Sequence, residues 1–150
     1  MATIRITKKF DFEMAHALKD YDGICAQIHG HSYCLSVTVI GTPICQDNHP
    51  KNGMVMDFRE LKKMIREEIV DRCDHALMLN KSQNAEICCY NENSVLWKKT
   101  IFVDYQPTSE NILFDFAQRI INKLPPHVKL HHLVLQETAT SLAEWWAEDQ

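Results

Sequence analysis

Two stretches near the N-terminus alternate apolar and polar side chains, and histidines stand where the two stretches approach each other. In residues 3–16 the apolar side chains occupy even positions, with an interruption at Lys8, and His16 continues the even series. In His31–Ile40 the apolar side chains occupy mostly odd positions. A period of two residues is typical of a half-buried β-strand. We therefore predict two strands, joined by the connection 17–28.

Three histidines meet if these strands pair as an antiparallel hairpin with matched inner faces. His29 and His31 are two residues apart, so they share one face of a strand that reaches back to residue 29. In the paired hairpin His16 lies beside them. Three imidazoles with an open fourth position are typical of a catalytic zinc site. The pattern therefore predicts that the three histidines bind Zn²⁺, and the alternative is three unrelated histidines, two of which pack at a strand end.

Cys25 precedes His29 by four residues and leaves two interpretations of this centre open. A thiolate is stabilised near Zn²⁺ and cationic neighbours, where it can act as a base or a nucleophile. Alternatively, Cys25 is the fourth zinc ligand, and a zinc site closed by four protein ligands is structural. The spacing is compatible with both interpretations.

The Asp74-His75 dipeptide and Glu137 are weaker candidates for functional residues. Asp74 and His75 place a carboxylate beside an imidazole, which suits general acid–base catalysis, although most such dipeptides lie on the surface without a function. Glu137 ends an otherwise apolar strand, where burial without a donor costs free energy. On physical grounds alone, Glu137 is better interpreted as an exposed strand terminus.

The composition indicates one globular domain over residues 1–150. Charged residues make up 24% and hydrophobic residues 45%, with a net charge of −4 and no basic block. These values predict no binding of nucleic acid or of an anionic membrane. We find no apolar run of signal-peptide or membrane-spanning length, so we expect a cytoplasmic protein whose six cysteines are reduced thiols.

Two helices and further strands follow the hairpin. The first helix is capped by Asp57 and ends near Arg72, and the second is capped by Thr108 or Ser109. Between the helices we predict an irregular excursion over 81–99 and a short edge strand over Thr100–Tyr105. After the second helix we predict two strands, Leu130–Glu137 and Ser141–Ala147. The order ββααββ predicts an α+β domain with an antiparallel four-stranded sheet and both helices on one face.

Six short motifs occur in a fixed order along the chain: Phe12-Glu13-x-Ala15-His16, Cys25-x-x-x-His29-Gly30-His31, Asp57-Phe58-x-x-Leu61-Lys62, Asp74-His75-x-x-Leu79-Asn80, Pro107-Thr108-Ser109-Glu110-Asn111 and Glu137-Thr138. Together they resemble the 6-pyruvoyl-tetrahydropterin synthase / 6-carboxy-tetrahydropterin synthase family. The three residues between the cysteine and His-Gly-His look like the carboxy branch. The resemblance implies the tunnelling fold (T-fold), in which trimers close a barrel and two trimers stack into a homohexamer with active sites at subunit interfaces.

The resemblance also implies a zinc-dependent lyase. Its reaction is the conversion of 7,8-dihydroneopterin triphosphate to 6-carboxy-5,6,7,8-tetrahydropterin, with release of acetaldehyde and triphosphate. In bacteria this step feeds the 7-deazaguanine path to queuosine. The alternatives are a 6-pyruvoyl-tetrahydropterin product, aldolase-type cleavage of dihydroneopterin, or, in a different class, a non-catalytic zinc-binding module.

The motifs of the family imply a role for each remaining candidate residue. Cys25 would be the catalytic base, and Asp74 with His75 would form a catalytic relay delivered by a neighbouring subunit. Glu137 would anchor the pterin by a two-point hydrogen bond, which reverses the physical interpretation given above. Ser109 and Glu110 would help to seat the same pterin. The chain departs from the family at Cys73, where an aliphatic residue is expected, and in the length of the segment 81–100.

Overall fold

Two long strands form the centre of the sheet. The computed structural model describes residues 2–88 and 94–150. Strand β1 (Ile4–His16) pairs antiparallel with β2 (His29–Gly41) along their whole length. Phe10 lies opposite Leu35 and both side chains are buried, so the predicted hairpin with matched inner faces is confirmed.

The sheet of the described residues is larger than the sequence predicts. Its other strands are β3 (Ala76–Asn80), β4 (Thr100–Val103), β5 (Val128–Thr138) and β6 (Ser141–Trp146). The spatial order is β4-β3-β1-β2-β5-β6, with β3 parallel to both β1 and β4 and the other pairs antiparallel. The predicted four-stranded antiparallel sheet is therefore wrong in strand number and in the orientation at one edge, while the α+β class is confirmed.

The strand missing from the prediction is β3, and its burial explains why. Ala76, Leu77, Met78 and Leu79 are all buried. Met78 belongs to the main core, whereas Leu77 and Leu79 pack with Ala17 in a second, smaller cluster. A strand that is covered on both faces has no polar alternation, so its sequence lacks the period of two.

The first helix, α1, begins at Phe58 and ends at Cys73 without a break. It consists of a regular part (Phe58–Ile65), a π-helical stretch (Arg66–Val70) and a last turn (Asp71–Cys73). Its N-cap is Asp57, whose carboxylate accepts the Arg59 N–H at 2.7 Å. The predicted cap is confirmed, and the helix ends one residue beyond the predicted Arg72.

Two further helices follow, α2 (Asn84–Cys88) and α3 (Ser109–Ile121), the latter capped by Thr108 as predicted. The buried residues of α1 and α3 share one core with the inner faces of β1, β2 and β5, so both long helices cover the same face. None of the described helices has the length and apolarity needed to cross a membrane.

The predicted excursion 81–99 is more regular than expected, because it contains α2 and two short helical turns, Lys81–Gln83 and Val95–Trp97. Residues 89–93 of this excursion lie outside the described part of the chain. Four cysteines are described as free thiols: Cys25, Cys34, Cys45 and Cys73. The reduced state of all six stays a prediction.

A shift of register in β5 decides which face of the sheet the last side chains of that strand lie on. The β2–β5 register shifts between Thr38 and Val39, so both Leu130 and Leu133 face the core although they are three residues apart. A bulge of this kind changes the face on which later side chains lie. After the shift Leu133, Leu135 and Glu137 alternate on the core face, which directs Glu137 toward the end of the hairpin where the histidines lie.

Candidate metal centre

Three histidines converge at the end of the first hairpin. In the β1–β2 register His16 lies opposite His29 and Met14 lies opposite His31, so the three imidazoles share one face. The ring centroid of His16 is 4.6 Å from that of His29 and 5.2 Å from that of His31, and the last two are 5.0 Å apart. One possible ligand atom from each ring lies within 4.8 Å of the others. The structure thus brings together all three residues that the sequence predicts as ligands.

Backbone carbonyls orient two of these rings. The Nδ1 atom of His16 is 2.7 Å from the Pro107 carbonyl oxygen, and Nδ1 of His29 is 2.8 Å from that of Gln27. A neutral ring that donates Nδ1–H to a carbonyl has its Nε2 lone pair free for a metal. Burial lowers the pKa of His16, against a weaker opposing effect of the Pro107 bond, and this favours the neutral ring that a ligand must have.

The buried acceptors of this centre fit a divalent cation. The Nε2 atoms of His16 and His31 are buried and have no hydrogen-bond partner. The nearest carboxylate oxygen, Oε1 of Glu137, is 3.5 Å from the first and 3.6 Å from the second. Imidazole nitrogens, with or without a carboxylate oxygen, are the ligand set of catalytic zinc sites. The residues present therefore fit Zn²⁺.

Glu137 does not lie where the physical argument from the sequence expects it. Its side chain is 24% exposed, and Oε1 accepts a hydrogen bond of 3.2 Å from the Tyr33 hydroxyl. Burial and this carboxylate raise the pKa of Tyr33, so its hydroxyl remains a donor. The interpretation of Glu137 as an exposed strand terminus is wrong, because the bulge in β5 and the Tyr33 donor accommodate the carboxylate inside.

A cavity of about 440 Å³ opens beside the three histidines. It is lined by seven of the candidate residues: His16, His29, His31, Cys25, Glu137 and the Ser109–Glu110 pair at the start of α3. The Ser109 hydroxyl is buried and has no hydrogen-bond partner, so it remains available to a bound molecule. The cavity therefore presents imidazole, thiol, carboxylate and hydroxyl groups to one ligand.

Cys25 lies at the rim of the metal centre and not within the ligand cluster. It belongs to the short helical turn Ile24–Ala26, its residue is half-buried, and it lines the cavity. Among the described residues, the group of possible ligand atoms that lie within 4.8 Å of one another contains the three histidines and excludes Cys25. This geometry favours a thiol that faces the bound molecule over a fourth zinc ligand.

Asp74 and His75 meet each other but do not line the same cavity. The His75 Nδ1 atom is 3.1 Å from Asp74 Oδ1, and the turn after α1 allows this contact because His75 has a φ of 59°. Asp74 Oδ1 also accepts the Glu13 N–H at 2.9 Å, and this bond is the main reason that the pKa of Asp74 is lowered. The His75 side chain is 78% exposed and lines a separate surface pocket that includes His31.

Two groups of the centre are absent from the sequence-based prediction. The Pro107 carbonyl orients His16, and no side-chain pattern indicates such a backbone contact. Tyr33 holds Glu137 and follows His31 at the same two-residue spacing, so the strand period already places it on that face. Only the second of these groups could have been inferred from the sequence.

Comparisons with known proteins find similarity over nearly the whole chain. The family model described as 6-pyruvoyl tetrahydropterin synthase matches residues 5–148. The chain is 34% identical over 143 residues to the 6-carboxy-5,6,7,8-tetrahydropterin synthase of Haemophilus influenzae, covering 94% of this chain and 97% of the relative. It is 33% identical over 133 residues to a dihydroneopterin monophosphate aldolase of Pyrococcus furiosus, covering 89% of each.

A solved structure provides the comparison of folds. The 6-pyruvoyl tetrahydropterin synthase of Caenorhabditis elegans superposes with a TM-score of 0.67 at 22% identity, covering 98% of this chain and 97% of that one. At this identity the likeness shows the fold alone, and it confirms the predicted T-fold.

Proposed function

This chain belongs to the 6-pyruvoyl tetrahydropterin synthase family, and from that membership we propose that it converts 7,8-dihydroneopterin triphosphate to 6-carboxy-5,6,7,8-tetrahydropterin. Acetaldehyde and triphosphate are the other products. As a member of this family the chain is a lyase-type enzyme that acts on a pterin. The observation that carries the proposal is the cavity in which three imidazoles, one thiol and one carboxylate face the same space.

His16, His29 and His31 would hold Zn²⁺. Backbone carbonyls outside the group of three histidines orient two of the rings. The carbonyls of Pro107 and Gln27 support this assignment, because they leave the Nε2 atoms of two rings free. When bound, Zn²⁺ supplies Lewis-acid polarisation of the hydroxyl oxygens on the substrate side chain.

Cys25 would be the base that removes a proton from the polarised side chain of the substrate. Its position on the cavity wall, outside the ligand cluster, supports this role. His75, oriented by Asp74, would exchange protons with the substrate in a neighbouring subunit. Its exposed ring supports that assignment, because a group on the outer surface of one chain is accessible to a second copy.

Glu137 would anchor the pterin ring through two hydrogen bonds, from the 2-amino group and from a ring N–H. Its carboxylate, held by the Tyr33 hydroxyl at the cavity wall, supports this assignment. Ser109 and Glu110 would complete the pterin seat at the start of α3, where the buried Ser109 hydroxyl is without a partner.

The proposed assembly is a homohexamer of two stacked trimers with active sites at the subunit interfaces. Free strand edges support it. β3 pairs with β1 only at Met14–His16, so among the described residues the rest of β1 has one unpaired edge, and β6 is the last strand on the other side. Such edges are sites of pairing between chains. We further propose a cytoplasmic location and a role in queuosine synthesis, in keeping with the carboxy product.

An aldolase activity on a dihydroneopterin phosphate is the second candidate, favoured by the likeness to the archaeal aldolase. In such a retro-aldol reaction the carbon–carbon bond between the first and second side-chain carbons breaks. The pterin keeps a hydroxymethyl group and the two-carbon fragment leaves as a phosphorylated aldehyde. The same cavity residues would serve both reactions, so the products distinguish them.

The test is to incubate zinc-replete protein with 7,8-dihydroneopterin triphosphate, and separately with the monophosphate, and to identify the pterin and the aldehyde by mass. A carboxypterin with acetaldehyde supports the proposal. A pyruvoyl or hydroxymethyl product retains the site and overturns the assigned reaction. Bound zinc without turnover of any pterin indicates the non-catalytic zinc module instead.

A further inference from the structure

We propose that Gln106 is a positioning residue that holds the Cys25 loop in register with the metal centre. The inference deepens the proposed function, because it concerns how the assigned base reaches the assigned metal site. Gln106 does not line the cavity, so any effect on the reaction passes through the residues that it holds.

Gln106 fixes one residue of the loop 17–28 through both of that residue's backbone groups. Its Oε1 atom accepts the Lys19 N–H at 3.0 Å, and its Nε2 atom donates to the Lys19 carbonyl at 2.7 Å. The geometry is that of a strand ladder, with a side-chain amide in place of a peptide. Both bonds are partly buried, so water competes less effectively for them than on the open surface.

A third hydrogen bond extends this hold to Cys25. The residue next to Lys19 is Leu18, and its N–H donates to the Cys25 carbonyl at 2.9 Å. This hydrogen bond joins the start of the loop to Cys25 at the residue next to the one that Gln106 holds. Since the backbone of Cys25 is bound to this point, the position of its thiol along the cavity wall depends on where Lys19 is held.

The same segment also orients a predicted zinc ligand. Pro107, the next residue, accepts the hydrogen bond from His16 through its carbonyl at 2.7 Å. The Gln106 carbonyl in turn accepts a 3.0 Å hydrogen bond from Asn111 Nδ2, in the first turn of α3. Two adjacent residues directly before the N-cap of α3 therefore hold both the Cys25 loop and the His16 ring.

This arrangement makes a specific prediction about catalysis. A displacement of about 1 Å in a reacting group can cost roughly a hundredfold in rate. Loss of the Gln106 side chain would leave His16 bonded to Pro107 and the metal centre intact, while the Cys25 loop would lose its anchor. The rate of the chemical step would fall without an equal change in zinc or substrate binding.

The experiment compares Gln106→Ala and Gln106→Glu in the full-length, zinc-replete protein. The glutamate keeps the acceptor for the Lys19 N–H and loses the donor to its carbonyl. Gln118→Ala is the matched control, because Gln118 is an exposed glutamine in α3, the helix that follows Gln106, and does not line the cavity. The readouts are kcat and KM, zinc per chain, amide hydrogen exchange over residues 18–25, and the rate of Cys25 alkylation by iodoacetamide.

For Gln106→Ala we expect kcat to fall roughly ten- to a hundredfold, with KM changed less than about threefold and zinc retained. Exchange at Lys19 rises about tenfold, and Cys25 is alkylated several times faster while exposed Cys45 is not. Gln106→Glu gives an intermediate kcat, and it decides the question if the alanine variant fails to fold. Gln118→Ala behaves as the wild type.

An unchanged kcat in Gln106→Ala, or a reduced kcat with unchanged exchange over residues 18–25, overturns the inference. A fall in Tm with kcat preserved also overturns it, because that result describes a purely structural contact. If the wild-type protein converts no pterin, the proposed function fails, and the exchange and alkylation results alone then decide whether Gln106 positions Cys25.

Discussion

The three-histidine centre and the Asp74–His75 pair both present imidazoles, yet they are built in opposite ways. The centre draws its ligands from two paired strands and orients two rings with carbonyls from other segments. The pair consists of sequence neighbours, made adjacent by one turn, and its histidine is mostly exposed. The proposed metal ligands all come from one chain, which orients two of their rings, whereas the exposed pair leaves the His75 ring accessible to another surface.

Because the two regions are built differently, substitutions in them should affect metal content and turnover differently. In the proposed function, damage to the centre would remove both, because the cation would be lost with its ligand. Damage to the pair would leave the cation in place and would remove only a proton-transfer group. Each prediction below tests one side of that separation.

The largest effect is expected for His29→Ala. Loss of one of three ligands lowers zinc affinity by more than about a hundredfold, since even loss of an outer contact costs 10–100-fold. Zinc per chain, measured by elemental mass spectrometry, falls to near zero, and pterin turnover falls to background. The control is His127→Ala, because His127 is an exposed histidine directly before β5 and does not line the cavity. Stoichiometric zinc in His29→Ala contradicts the assignment of the centre.

His75→Ala should lower kcat by roughly 10²–10⁴-fold, the usual range for loss of a general acid or base. Zinc should remain near one per chain, because His75 contacts Asp74 and not the ligand cluster. Steady-state kinetics and metal analysis on the same sample test both points. Loss of zinc with the side chain would place His75 with the centre and remove the contrast.

Mixing experiments test the location of the pair in the assembly. If the relay acts in a neighbouring subunit, inactive Cys25→Ala and His75→Ala chains, unfolded and refolded together, regain a fraction of wild-type activity. Each chain then supplies the group that the other lacks. Refolding either variant alone is the control. No recovery from the mixture, in oligomers shown by mass to contain both chains, means that the relay acts within its own chain.

Glu137→Gln should weaken substrate binding while retaining the metal. A charge-assisted hydrogen bond contributes about 1.5–3 kcal/mol, so KM is expected to rise roughly 10- to 150-fold. Glu144→Gln in β6 is the matched control, because Glu144 contacts His132 and does not line the cavity. A loss of zinc from Glu137→Gln would instead make the carboxylate part of the metal site.

The smallest effect concerns stability and pH. The pKa of Asp74 is lowered from its ordinary value of 3.8, mainly by the Glu13 N–H, so the carboxylate stabilises the fold above pH 3.8. That contribution is lost as the pH falls through the lower folded-state pKa. We expect Asp74→Asn to reduce the free energy of unfolding at pH 7 by less than about 1 kcal/mol, because the group is partly exposed. Urea titrations at pH 7 and pH 3 measure the difference, which should be smaller at the lower pH.

The hairpin was predictable because each of its strands has one buried face, and that asymmetry produces a period of two. The convergence of His16, His29 and His31 follows from that period and from the pairing. The strand β3 was not predictable in this way, since its burial on both faces removes the alternation. The six-stranded order depends on that strand and was therefore missed with it.

Glu137 shows a different limit. Its position depends on a bulge in β5 and on a hydroxyl from β2, and neither is encoded near residue 137. The rule that buried carboxylates need donors was sound, but the donor lies 104 positions away in the chain. The strand period places Tyr33 on the histidine face, but only the family motif indicated that Glu137 lies at the same site. The Pro107 carbonyl was missed for the same reason, because a backbone contact is not recorded in residue type.

The π-helical stretch Arg66–Val70 has a consequence for how this family can change in length. A π turn accommodates one residue more than an α turn, so deletion of one residue there would give a regular helix of nearly equal extent. Because the wider π turn takes up its extra residue locally, the residues after such a deletion would keep their direction. A deletion in the regular part Phe58–Ile65 would instead rotate every later residue by about 100° around the helix axis. Asp74 and His75 leave the helix immediately afterwards, so the π-helical stretch is the place where α1 can lose one residue without redirecting this pair.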